Sequence, residues 1–242
     1  MILARIVEAV PLHDARHGPL PAFLVVLTFV TGLVDAVSYL KFGHVFVANM
    51  TGNVVFLGFA MADAQDFSVA ASLLAIGAFL VGATLGGRLG ARAAVHRGRY
   101  LALATYAKIV LVAIALVVSI ASSGGTGTPA TYSLIVLLAI AMGLQNAVVR
   151  RLAVPDLTTT VLTMTLTGLG ADSSLAGANK PQPAVRRIAG VVTMLLGALL
   201  GALIVLNVGV SAALALVLAL QVMNGIAAWR ISSSTEAWTV GS

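Results

Sequence analysis

Apolar residues in this chain come in long, nearly continuous blocks separated by short polar punctuation, a pattern too uniform to show a one-sided helical or strand period. A membrane-crossing helix needs about 20 mostly apolar residues. Residues 20–40 form one such block despite containing Asp35, and residues 67–87 form a second. No charge falls between Lys108 and Arg150, a stretch too long for one crossing. The turn-rich SSGGTGTP at 122–129 splits it, predicting helices near 100–121 and 131–149. The uncharged run from Ile188 to Trp229 must also fold back, and Asn207-Val208-Gly209 is the natural break. Six spans result.

Two further segments are apolar but polar at heart. VFVANMTGNVVFLG at 45–58 puts Asn49, Thr51 and Asn53 inside an oily run spanning 42–62. LTTTVLTMTLTGLGA at 157–171 carries six threonines in 15 positions, short for a crossing. Lysine and arginine favour the cytoplasmic side of membrane proteins. If both segments cross, a basic loop is stranded on the wrong side whichever way the chain is oriented. If each enters and leaves on one side, the Arg5/Arg16 segment, the Arg88–Arg99 loop, Arg150-Arg151, the Lys180–Arg187 loop and Arg230 all fall together. Only Lys41 is left opposite. The expectation is therefore an all-α polytopic bundle of six full spans plus two short broken or re-entrant helices.

Composition agrees. Hydrophobic residues make up 60% and charged residues 9% of the 242, against about 25% charged in soluble domains. The net charge of +6 sits in short clusters between oily runs, as orientation signals do, so nucleic-acid binding is not expected. The absence of cysteine excludes disulfides and thiolate chemistry. The N-terminal residues 1–19 lack a signal-peptide pattern and read as a retained cytoplasmic segment. His13 and His17 have helical spacing but no third ligand nearby, so no metal site is expected.

The chain also repeats itself. GLVDAV at 32–37 aligns with GLQNAV at 143–148 at an offset of 111, and Thr51–Gly58 aligns with Thr163–Gly170 at 112. Asp63 has Asp172 as its approximate mate. Halves of three spans each (20–122 and 131–230, with 231–242 as a tail) have to run in opposite directions. Inverted repeats of that kind, built around discontinuous helices, are characteristic of transporters. Broken backbone at mid-membrane depth is tolerated where protein buries it or a wet cavity meets it, which gives Asn49 and its mates a reason to be there.

GLVDAVSYL, FVANMTGN and TTTVLTMTLTGLGAD together resemble the YoaK-like family of uncharacterised bacterial inner-membrane proteins, over roughly residues 20–230. The resemblance implies a multi-pass protein of the bacterial inner membrane and supplies no site residues.

Candidate residues come from physics instead. Ionisable groups within the membrane are expensive and by default functional candidates. Asp35 reads as a proton or cation carrier, and Lys108 as its counter-charge, an anion contact or a snorkelling side chain. Asn146 is the uncharged mate of Asp35; Gln145 beside it, like Gln221 and Asn224, reads as interhelical glue. Asn49, Thr51 and Asn53, with Thr160, Thr163 and Thr167 in the mate, would line a pathway or satisfy broken backbone. His44 stands at the mouth of the polar segment. Gly82, Gly86 and Gly90, like Gly197 and Gly201, form ridges for close helix packing, with a homo-oligomer contact as the alternative. No enzyme motif, cofactor motif or metal constellation is present. The functional expectation is a small transporter or channel for a solute or ion, with Asp35 as the candidate for proton coupling; the alternative is a non-transporting lipid-handling or partner-recruiting subunit.

Overall fold

The computed structural model describes residues 16–92, 96–124, 127–155, 159, 162–172 and 184–240. These form α1 (Leu20–Lys41), α2 (Met50–Met61), α3 (Val69–Arg92), α4 (Arg97–Ala121), α5 (Thr128–Leu152), α6 (Leu162–Ala171), α7 (Ala184–Asn207) and α8 (Val210–Ile231). A single 3₁₀ turn, Ala237–Thr239, follows. Six helices are long and apolar enough to cross a membrane. At 1.5 Å per residue the 22 residues of α1 span about 33 Å, matching a hydrocarbon core of about 30 Å. The 12 residues of α2 reach only about 18 Å, and the 10 of α6 about 15 Å, so neither crosses. Gly209, at φ 130°, supplies the positive-φ turn between α7 and α8 at the break expected there.

The helix ends define two faces. On one, Arg97 donates to the carbonyls of Leu152 and Trp238, and His96 and Arg99 contact the Ser234 and Ser232 carbonyls. Gly18 packs against the buried Trp238 ring. The start of α1, the start of α4 and the ends of α5 and α8 are thereby gathered on one basic face. Residues 231–240 are stitched into the bundle there and are not a loose tail.

Lipid offers no hydrophobic pull between helices, so they associate through close packing and hydrogen bonds. Here the packing is through glycine. A Cβ on Gly32 would lie 2.3 Å from the Met194 carbonyl oxygen of α7 and 2.8 Å from Ala198 N. A Cβ on Gly143 would lie 2.0 Å from the Phe79 oxygen of α3 and 2.9 Å from Ala83 N. The reciprocal contacts recur. Gly82 meets Ile140 and Gly197 meets Phe29, each at a carbonyl oxygen about 2 Å from the added carbon, while Gly86 meets Leu144 and Gly201 meets Leu33. Every α1 residue in this set has its α5 counterpart 111 positions on, and every α3 residue has its α7 counterpart 115 positions on. The two seams, α1 against α7 and α3 against α5, are the same contact made twice. Each joins a helix of one half to a helix of the other. Gly82 and Gly86 are thus covered by α5 of the same chain, and Gly90 by Tyr100 and Arg151.

Stacking of α4 on α8 completes the centre. Ser119 and Ser211 share a hydrogen bond of 2.8 Å near one end, while Gly225 lies against Thr105 and Ile109 further along. Fourteen positions back along α4 meet fourteen forward along α8, so the pair is antiparallel. In the most apolar window of each span, α1 is 72% buried and α5 61%, whereas α7 is 28% buried. Leu195, Leu199, Leu203 and Leu206 of α7 face outward, as lipid-exposed residues would.

The seams make a sharp prediction. Gly32→Ala and Gly143→Ala should each lose about 1–3 kcal/mol of stability through overpacking. Gly77→Ala adds a methyl that meets nothing within 4 Å and should be neutral or gain up to about 1 kcal/mol. Thermal unfolding of the purified variants in detergent reads the difference; equal sensitivity at all three positions would contradict the packing described.

Candidate functional site

After α1 ends, residues 42–48 do not leave the bundle. They turn back into it, and Asp35, six residues before the end of α1, receives them: its Oδ1 accepts the Ala48 amide at 2.8 Å and the Val47 amide at 3.1 Å. Phe42, Val45 and Val47 are buried along this descent. Asn49 then caps α2, its Oδ1 accepting from Gly52 N at 3.4 Å. Asn53, fully buried, clamps the descending strand of the loop from both sides. Its Oδ1 accepts the Phe46 amide at 2.8 Å and its Nδ2 donates to the Phe46 carbonyl at 2.6 Å. From there α2 climbs back out, and the return is closed where His44 Nδ1 meets the Asp66 carbonyl at 3.1 Å. The segment enters and leaves on the same face, opposite the basic one.

Aromatic side chains hold this excursion. Phe46 stacks on Tyr39 at 5.0 Å and on Phe56 at 5.6 Å, Phe56 meets Phe67 at 5.1 Å, and His44 meets Tyr39 edge-on at 5.1 Å. Such pairs are worth about 0.5–1.5 kcal/mol each beyond their buried area. The second half anchors its short helix differently. Asp172, just past α6, pairs with Arg187 of α7 at 2.8 Å, and the Arg187 guanidinium lies over Gly168.

Two adjoining cavities follow from this geometry. One, of about 330 Å³, is lined by Asp35, Tyr39, Phe46 and Asn49, with Gly32 of α1 and Met194, Ala198 and Ala202 of α7 behind them. The next, of about 420 Å³, shares Asn49 and Met194 with it and adds Thr51, Gly52, Leu162 and Thr163. The N-terminal ends of α2 and α6 therefore border one space. Asp35, Asn49, Thr51 and Thr163, chosen from sequence, are brought together. Asn53 is beside them but spent on backbone. Thr167 bonds back to the Thr163 carbonyl at 2.9 Å within its own helix. Thr160 lies outside the described residues.

Asn146 goes elsewhere. Its Nδ2 donates to the Met142 carbonyl at 2.9 Å, and it lines a third cavity, of about 810 Å³, at the opposite end of the bundle. That cavity is the counterpart of the first. Asp35, Ala36, Tyr39 and Leu40 correspond to Asn146, Ala147, Arg150 and Arg151, and Met194, Ala198 and Ala202 correspond to Phe79, Ala83 and Gly87. One is bordered by a carboxylate and aromatics, the other by an amide and two guanidinium groups.

Lys108 does not meet Asp35. It is buried in the middle of α4, where its Nζ donates to Gln145 Oε1. Gln145 Nε2 in turn donates to Thr31 Oγ1 at 2.8 Å and to the Leu27 carbonyl at 3.4 Å. Gln145, read from sequence as glue, is the link that joins α4, α5 and α1. What sequence reasoning missed was the partnership: Lys108 and Gln145 are far apart in the chain, and no local spacing marks them as neighbours.

Fold and cavities define the class: an all-helical, multi-pass membrane protein with six spans and two short helices set into the bundle. A family model described as protein of unknown function (DUF1275) matches residues 23–227, and the chain belongs to that family. The UPF0700 transmembrane protein YoaK of Bacillus subtilis strain 168 is 32% identical over 151 residues. That match covers 62% of this chain and 66% of the relative, just under two thirds of its length. No solved structure matches the chain.

The tether at Asp35 can be tested. Asp35→Ala leaves the Val47 and Ala48 amides unpaired, at about 1–3 kcal/mol for a buried donor left unsatisfied. Asp35→Asn keeps an Oδ1 acceptor and should recover most of that. Thermal unfolding, with amide hydrogen exchange at residues 47–48 as the local readout, should show fast exchange in the alanine variant alone.

Proposed function

We propose that the protein is a small secondary transporter or channel of the bacterial inner membrane, built as an inverted repeat and moving a small solute or ion. The observation that carries this reading is the pair of equivalent cavities at opposite ends of the bundle, around Asp35 and around Asn146. Reciprocal glycine seams support the inversion, because the same close helix contact is made twice, each time between a helix of one half and a helix of the other. A solute entering by the Asp35 side meets Asn49, Thr51 and Thr163 at the helix ends of α2 and α6. There, backbone N–H groups and hydroxyls can replace its water. Asp35, the one carboxylate among the described residues lining that space, is the residue to couple movement to a proton. By the positive-inside bias the basic face is cytoplasmic, and with it both termini. The reading assigns no catalytic step to the chain.

Proteoliposomes loaded with a pH-sensitive dye provide the test, with small carboxylates, amino acids and monovalent cations added outside in turn. At least one class should acidify the lumen in the wild type. Asp35→Asn should abolish the acidification while the protein stays folded, and Thr163→Trp should block uptake by filling the cavity between α2 and α6. Lumenal pH indistinguishable from empty vesicles for every class would contradict proton-coupled uptake, and the absence of any uptake of the same solutes in radiolabelled form would contradict transport and favour a lipid-handling or partner-recruiting role.

A further inference from the structure

The apolar core of the bundle is not continuous. One cluster draws on residues 30–37 of α1, Val112 and Ala115 of α4, residues 134–142 of α5 and residues 213–217 of α8. The other draws on residues 20–27 of α1, residues 100–104 of α4, residues 144–152 of α5 and Ala228 of α8. Between them, at one depth in all four central helices, lies a layer of buried polar side chains. Thr28 and Thr31 come from α1, Thr105 and Lys108 from α4, Gln145 from α5, and Gln221 and Asn224 from α8. The antiparallel register fixed by Ser119–Ser211 and by Gly225 on Thr105 and Ile109 sets Gln221 opposite Lys108–Ile109.

The hydrogen bonding of this layer does not close. Thr28, Thr31 and Thr105 donate back to their own helices, and the Gln145 amide is spent on Thr31 and Leu27. Lys108 is 2% exposed, yet its ammonium, with three N–H donors, bonds among the described residues to the Gln145 oxygen alone. Among the described residues no carboxylate pairs with it. Gln221 is 0% and Asn224 6% exposed, and both nitrogens, together with the Gln221 oxygen, lack a partner among the described residues. Buried polar groups are hydrogen-bonded as a rule and buried charges are paired. The spare groups are mostly donors and include one cation, so the missing partner is negative rather than positive.

We propose that Lys108, Gln221 and Asn224 bind a small monovalent anion of halide size at the centre of the bundle. The ammonium balances its charge, and the two amide nitrogens supply further donors from the facing helix. The site is separate from the Asp35 cavities and stands whether or not the protein transports anything.

The test uses the full chain in detergent, with unfolding temperature followed against chloride or bromide and ionic strength held constant with gluconate. The wild type should show a saturable, halide-specific rise. Lys108→Met should abolish the halide response, Gln221→Leu should raise the half-saturating concentration at least tenfold, and Lys41→Ala, at the end of α1, should leave it unchanged. Bromide soaked into crystals should give an anomalous peak beside Lys108 Nζ. Wild-type stability indifferent to halide, a response that survives in Lys108→Met, or a peak-free layer holding only water would overturn the proposal. If the lysine variant does not fold, an unchanged half-saturation in Gln221→Leu decides against it equally.

Discussion

A chain that turns back inside a bilayer exposes peptide groups where no water can satisfy them, and each such group left unpaired costs several kcal/mol. Asp35 meets that demand for residues 47 and 48, and Asn53 meets it for residue 46. The rest of the outer site depends on these few bonds. With the descending loop held at the depth of Asp35, α2 starts inside the bundle, Asn49 caps it there, and Tyr39, Phe46, Phe56 and Phe67 close around the excursion. The cavities beside Asn49 and Thr51 are the space left by a helix that begins inside the bundle, at the depth of Asp35. The polar residues that look misplaced in an oily sequence are those that let the backbone be there.

The glycine seams set the second constraint. Backbone-to-backbone approach at Gly32, Gly82, Gly143 and Gly197 gives α1·α7 and α3·α5 a dispersion contact that longer side chains would prevent. Because each seam joins the two halves, neither half is a unit by itself. The equivalent cavities flank these same seams, so any sliding of α1 on α7 or of α3 on α5 changes their shape. This links the packing to the proposed transport directly.

Much of this was legible in sequence. The six spans, the break at Asn207–Gly209 and the two short helices followed from run length and from where arginine is allowed. The meeting of Asn49 and Thr51 with Thr163 followed from matching GLVDAV to GLQNAV and extending the alignment. Other features were not legible. The GxxxG ridges at 82/86 and 197/201 are mates at an offset of 115, but the slip from 111 hides the match, and the sequence alone does not name the helix that each ridge packs against. The sequence marks Asp35 as a carrier candidate, while its bonds to the Val47 and Ala48 amides depend on the path of the loop. From sequence alone Lys108 reads as a counter-charge to Asp35, an anion contact or a snorkelling side chain. The bundle instead puts Gln145 against it, a choice fixed by the antiparallel packing of α4 on α5 and invisible to any local spacing.

The proposed transport requires the two halves to face opposite sides with matching cavities, and the natural absence of cysteine makes this directly measurable. Single cysteines placed at Asn49 and at Ala147 should be tested in right-side-out and inside-out vesicles with a membrane-impermeant maleimide. Asn49→Cys should label from the outer side only and Ala147→Cys from the cytoplasmic side only. Labelling of both from the same side, or of neither from any side, would contradict it.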